Sequence, residues 1–122
     1  MKEIQNPVLR GFHPDPSAVC VDGVCYVAVS TFEWWPGIEI YRSADLARWE
    51  LAAQPLRSEN QADLRGDFCS GGIWAPHLSF SEGKFWLAFT DVKAFSVTAF
   101  LDAPNYVIRR RLSRAPGAAR CL

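Results

Sequence analysis

Excess charge is absent from this chain: thirteen Lys and Arg balance thirteen Asp and Glu. A net charge of zero gives no general attraction to nucleic acid or to an anionic membrane. No apolar run approaches the ~20 residues of a membrane-crossing helix. The amino-terminal MKEIQNPVLRG lacks the apolar core of a secretory signal. The expectation is a cytoplasmic protein with neither nucleic acid nor membrane among its partners. Helical patterning is equally scarce, since no apolar period of 3.6 residues persists beyond two turns. The four cysteines, Cys20, Cys25, Cys69 and Cys121, have neither the C-x-x-C nor the Cys/His spacing of a zinc site. No metal or other cofactor is expected. Cys20 and Cys25 flank VDGV and could face each other across a hairpin. In a reducing compartment they read as small buried apolar residues, with a disulfide as the alternative.

What is present is strand. With 122 residues, 49% of them hydrophobic and 21% charged, the composition is globular and the length suits one domain. SAVCV and VCYVAVSTF are rich in β-branched and aromatic residues, and Asp22-Gly23 between them suits the positive-φ positions of a two-residue type I′ turn. GIEIYRS and RWELAAQP supply a third and a fourth strand. Shifted by sixty, the sequence nearly repeats: PSAVCVDGVCYVAVS (16–30) lies over PHLSFSEGKFWLAFT (76–90) without a gap. Pro16 meets Pro76, Gly23 meets Gly83, Tyr26 meets Trp86 and Ser30 meets Thr90. Each copy reads strand, acidic-Gly turn, strand. A repeated four-stranded sheet of this period suggests an all-β propeller, although two blades cannot close a ring that takes about four to eight.

One acid is held unusually firmly. In GFHPDPSAV, Asp15 stands between Pro14 and Pro16 at the mouth of the first strand. A residue before proline is pushed towards extended backbone, so Asp15 is either a structural stop or a positioned catalytic carboxylate. Trp34, Trp35, Trp74 and Trp86 read more readily as core than as an exposed binding platform. Trp86, alternating within a strand, reads as core; Trp34 and Trp35, before Pro36-Gly37, lie in a loop.

The combined blocks NPVLRGFHPDPSAV, YVAVSTFEWWPGIEIYRSADLARWEL, SGGIWAPHLSFSEGKFWL and FTDVK…DAPNYV resemble the amino-terminal part of glycoside hydrolase family 43, in its β-xylosidase branch. The resemblance covers residues 4 to about 107. It implies a partial five-bladed β-propeller, about the first two blades only, within residues 1–107. It also implies inverting hydrolysis of terminal xylosyl residues from a xylo-oligosaccharide or aryl xyloside. Inversion needs a base and an acid, their carboxyl groups about 6.5–9.5 Å apart. The family's base matches Asp15. Two pocket aromatics match Phe32 and Trp74. Its acid and a second aspartate belong to later blades, so this chain alone is expected to lack useful turnover. Glu33 and Glu39 read as rim or solvent-face charges, and Asp91 as a structural acid at a strand end.

The strand expected over Asp102–Ile108 gives way to RRRLSRAPGAARCL, with five arginines in fourteen residues. Residues 108–122 read as a basic tail outside the family, arising either from out-of-frame GC-rich coding DNA or as a binding tail. An open two-blade fragment is expected to expose edge strands and to be poorly soluble. The second reading is a non-catalytic xylose-binding or assembly module. A serine hydrolase built on Ser17, His13 or His77 has no G-x-S-x-G elbow to support it. Oligomeric state and the choice between xyloside and arabinofuranoside are left open.

Overall fold

The computed structural model describes residues 3–93 and 103–111. Asp102 and the tail beyond Arg111 lie outside the described residues. Every regular element described is a strand: β1 (Ser17–Val21), β2 (Val24–Ser30), β3 (Ile38–Ser43), β4 (Glu50–Ala53), β5 (Gly72–Ser81), β6 (Lys84–Val92) and β7 (Asn105–Arg111). They form two antiparallel sheets, β1-β2-β3-β4 and β5-β6-β7.

The sixty-residue repeat is a repeat of register. Val21 pairs with Val24 and Ser17 with Ala28 in the first hairpin; Ser81 pairs with Lys84 and His77 with Ala88 in the second. Both turns take positive φ at their two central residues, +50° and +79° at Asp22-Gly23 and +51° and +71° at Glu82-Gly83. Such turns match the twist of the strands they join, so a two-residue loop fixes the pairing of the whole hairpin.

The sheets pack face to face. Phe85, Leu87 and Phe89 alternate along β6 and meet Tyr26 and Ala28 of β2 and Ile38 of β3, with Ile73 and Leu78 of β5 completing the centre. The Tyr26 and Phe85 rings meet edge to face at 4.8 Å. Leu56, Ala62 and Leu64, from the long connection between β4 and β5, close the core from one side. The edge strands β1 and β5 are also joined directly, because Leu78 N–H donates to Ser17 Oγ at 3.0 Å.

Three expectations change. Cys20 and Cys25 are bonded as a disulfide, and they occupy directly opposed positions in the β1–β2 register. That cross-strand position, not burial, is what the Asp-Gly turn specifies for them; Cys20 is exposed and Cys25 half-buried. Trp86 is half-buried, not core. It lies on the opposite face of β6 from Phe85 and Leu87, and among the described residues no sheet covers that face. The strand expected over Asp102–Ile108 is observed at Asn105–Arg111. Lys84, Phe85 and Trp86 pair with Arg111, Arg110 and Arg109. Ladder bonds use backbone groups only, so exposed arginines continue a strand that side-chain pattern alone ends earlier.

Candidate active site

The site is built around three consecutive residues of β5: Ile73, Trp74 and Ala75. Asp15 reaches Ala75 and Phe32 reaches Ile73, on either side of Trp74.

Asp15 comes to Ala75. Its Oδ2 accepts the Ala75 N–H at 3.4 Å, a long bond that leaves an exposed carboxylate with lone pairs to spare. The expectation of extended backbone is corrected here, since Asp15 has φ +52°. Ala75, sixty residues on and likewise before a proline, has φ +40°, and it sits where the β5–β6 register shifts between Trp74 and His77. The kink therefore belongs to the repeat and recurs at the head of each hairpin. Left-handed backbone at a residue with a side chain costs about 1–3 kcal/mol. Pairing holds it in place: Pro14 C=O accepts the Ser30 N–H at 3.1 Å, locking the approach of Asp15 to the end of β2.

Phe32 comes to Ile73. The two form an isolated antiparallel bridge, with Ile73 N–H donating to Phe32 C=O at 3.2 Å. Phe32 lies in a self-bonded loop: Thr31 N–H donates to Gly37 C=O at 2.9 Å, and Thr31 Oγ1 donates to Trp34 C=O at 2.6 Å. Phe12 packs edge-on against Phe32 with ring centroids 5.3 Å apart. Trp34 and Trp35, 68% and 51% exposed, point away from the core.

Trp74 is oriented from the other side. Its indole Nε1–H donates to Ser70 C=O at 2.9 Å, and Ser70 N–H donates to Glu33 Oε2 at 3.1 Å. Glu33, read from sequence as a rim charge, thus ties the Phe32 loop to the residue that fixes the Trp74 ring. Glu39 is also engaged, accepting the Tyr41 hydroxyl at 2.6 Å. Burial and then this carboxylate push the Tyr41 phenol up to about 12.

A buried ionic cluster anchors the segment leading into this site. Lys93 Nζ donates to Asp67 Oδ1 at 2.8 Å, approaches Asp91 Oδ2 at 3.3 Å and bonds the Asp63 carbonyl. Asp67 and Asp91 side chains are 0% and 1% exposed. Burial, then the neighbouring Asp67, raises the Asp91 carboxyl above its ordinary range. Asp91 is therefore not a free acid facing the pocket.

Ser17 Oγ accepts the Leu78 N–H, and His13 Nε2 bonds the Arg10 carbonyl. Among the described residues no three His, Cys, Asp or Glu side chains are grouped to hold a metal ion. Sequence reasoning missed Ser30, Ser70 and Gly72, whose contacts lie across the two sheets. The match of Ser30 with Thr90 was the one signal for a hydroxyl with a task.

Residues 4–111 match the family model described as glycosyl hydrolases family 43. A β-xylosidase of Bacillus subtilis is 52% identical over 106 residues, 87% of this chain and 20% of that protein. A xylosidase/arabinosidase of Humicola insolens is 48% identical over 116 residues, 95% of this chain and 21% of that one. The crystal structure of a xylan β-1,4-xylosidase from Bacillus halodurans superposes with a TM-score of 0.82 at 50% identity, covering 88% of this chain and 20% of the other. The chain thus spans about one fifth of the length of these relatives. A match over residues 4–111, together with a shared fold at half-identical sequence, makes this chain a member of family 43 of the glycosyl hydrolases.

Proposed function

We propose that this chain carries the general base and one aromatic wall of an inverting glycosidase pocket for a terminal xylosyl residue. The observation that carries the reading is the convergence of Asp15, Phe32 and Trp74 on Ile73–Ala75. Aromatic rings take the C–H faces of a sugar, while a few polar groups set its orientation. Asp15 would accept a proton from the water attacking the anomeric carbon, as the glycosidic C–O bond breaks towards a leaving oxygen that an acid must protonate. Asp91 is bonded within the Lys93 cluster, and Glu33 and Glu39 are bonded to Ser70 and Tyr41, so none of the three is offered as that acid. On this reading the two sheets are the first two blades of a five-bladed propeller. The half-buried Trp86 face of β6, equivalent to the Tyr26 face that packs on sheet β5-β6-β7, is where a third blade would lie. The relatives named as xylosidases support a xylo-oligosaccharide or aryl xyloside as substrate.

The test separates base from acid. β-Xylosyl fluoride needs no leaving-group proton: water attacks the anomeric carbon, Asp15 takes the proton, and fluoride departs with the C–F electron pair. The 122-residue chain is expected to bind xylose, to release fluoride slowly, and to leave an alkyl xyloside intact. Asp15→Asn should cut fluoride release by about 10²-fold or more, in the range of a general-base contribution, with xylose binding retained. Trp74→Ala should abolish binding. Xylose binding with no Asp15-dependent fluoride release favours the second reading, a binding module without catalysis. Absence of xylose binding overturns both.

A further inference from the structure

The bridge between Phe32 and Ile73 is completed by a side chain. An antiparallel bridge of this kind exchanges two backbone bonds, and here one is direct, from Ile73 N–H to Phe32 C=O at 3.2 Å. The other is relayed. Phe32 N–H donates to Ser30 Oγ at 2.8 Å, and Ser30 Oγ–H donates to Ile73 C=O at 2.5 Å. Ser30 is 0% exposed, so this hydroxyl sits in the bridge as a fixed spacer. It holds that side of the bridge open while the other side is closed, and Phe32 takes φ +53° beside it.

We propose that Ser30 is a positioning residue whose hydroxyl, inserted between Phe32 N–H and Ile73 C=O, sets the separation of the Phe32 and Trp74 rings and hence the width of the slot that takes a xylosyl ring. The inference rests on the reading of Phe32 and Trp74 as the sugar-facing pair. Ile73 is the chain neighbour of Trp74, whose indole is fixed independently through Ser70. Phe32 belongs to a loop bonded to itself from Thr31 to Gly37, so a shift at the bridge moves the loop as a body. Without the hydroxyl, Phe32 N–H can close on Ile73 C=O by a direct bond of ~2.9 Å, and the ring is drawn towards β5. The carbonyl of buried Ile73 and the part-buried Phe32 amide drive that closure, because a polar group left unpaired away from water is costly. At the corresponding point of the repeat, Thr90 carries a hydroxyl that donates to Asn105 Oδ1 at 2.6 Å, so the strand backbone at this point accepts a β-branched hydroxyl residue.

The test uses the 122-residue chain with Ser30→Ala and Ser30→Thr, following the Phe32 amide and Trp74 indole resonances together with xylose affinity. Ser30→Ala is expected to shift both resonances and to weaken xylose binding about tenfold, equivalent to 1.4 kcal/mol. Ser30→Thr should bind within about twofold of the parent, a difference of less than 0.5 kcal/mol. Should Ser30→Ala fail to fold, Ser30→Cys, whose longer C–S bond and weaker donor loosen the relay, takes its place with the same readouts. Resonances that stay put, or that move while affinity is unchanged, overturn the role of Ser30. A parent chain that binds no xylose overturns instead the reading of the site on which the role depends.

Discussion

Replacing Lys93 by methionine is expected to lower the unfolding free energy by about 3 kcal/mol at pH 7, with part of the loss recovered on acidification. The ammonium group is the shared partner of Asp67 Oδ1 and Asp91 Oδ2, and each of these carboxylates has a second oxygen, Asp67 Oδ2 and Asp91 Oδ1, without a hydrogen-bond partner. Removing one member of a buried pair typically costs about 3–5 kcal/mol, because a charge is left unpaired away from water. Lys93 is itself 43% exposed, which places the effect at the lower end. Adding Asp91→Asn to Lys93→Met removes one of the stranded charges. The double variant should therefore be more stable than Lys93→Met alone, a non-additivity that urea unfolding of the full cycle measures directly. Equal stability of the two would mean that Asp91 is not ionised against Lys93.

The direction with pH follows from the same cluster. The Asp91 carboxyl is raised above 3.8 by burial and by Asp67, so its contribution to stability is full below 3.8 and declines as pH rises through the folded value. Without the Lys93 attraction that opposes this rise, the Lys93→Met window extends further upward, and stability should climb more steeply than in the parent as pH falls from 7 towards 4. In the parent, burial pulls the Lys93 ammonium down, but its bond to Asp67 and its attraction to Asp91 and Asp67 together outweigh burial and raise it above 10.5. That contribution is present below 10.5 and fades only in alkali. Asp63, lowered to about 2 by the Arg65 guanidinium, acts in the opposite sense, its contribution present above 3.8 and lost as pH falls towards 2. The acid recovery expected of Lys93→Met therefore lies above the range in which Asp63 titrates. Unfolding midpoints between pH 4 and 7 check it.

The hairpins were legible because two-residue acidic-Gly turns dictate register locally, and a match at sixty residues repeats that dictation. The kink at Asp15 was not legible. Its flanking prolines argue for extended backbone, and the bonds that overrule them reach to Ser30 and to Ala75, the second sixty residues away. The disulfide was a question of compartment more than of geometry, and geometry alone would have paired Cys20 with Cys25. Alternation marks Trp86 as core because it shows which residues share a face, without showing whether that face is covered. Asp91 read correctly as a structural acid in kind, but its lysine partner, two residues on and reached only through the fold of the 63–67 segment, left no mark in the strand pattern. The resemblance points to Phe32 and Trp74; it says nothing of the Ser30 relay between the Phe32 and Ile73 backbones.

Replacing Gly72 by alanine is expected to be the most damaging single methyl added to this chain. A Cβ there would stand 2.6 Å from the Phe32 carbonyl oxygen and 2.8 Å from the Glu33 nitrogen, both backbone atoms that cannot rotate aside, and φ is +72°. Left-handed strain contributes about 1–3 kcal/mol and overpacking typically about 1–3 kcal/mol more. A total on the order of 4 kcal/mol compares with a whole-domain stability of about 5–15 kcal/mol. Gly66 separates the two contributions, since its φ is +78° and nothing lies within 4 Å of an added Cβ. Gly66→Ala should thus pay the conformational part alone, about 1–2 kcal/mol. With urea slopes of about 1–3 kcal/mol per molar, the two midpoints should differ by roughly 1 M. The functional consequence differs in kind as well. The clash pushes the 31–37 loop off β5 and with it the Phe32–Ile73 bridge, so Gly72→Ala should lose xylose binding even in the folded fraction, while Gly66→Ala keeps it. Equal midpoints for the two variants would show that the close approach of the loop to β5 is not maintained in solution, and with it the geometry that brings Phe32 beside Ile73.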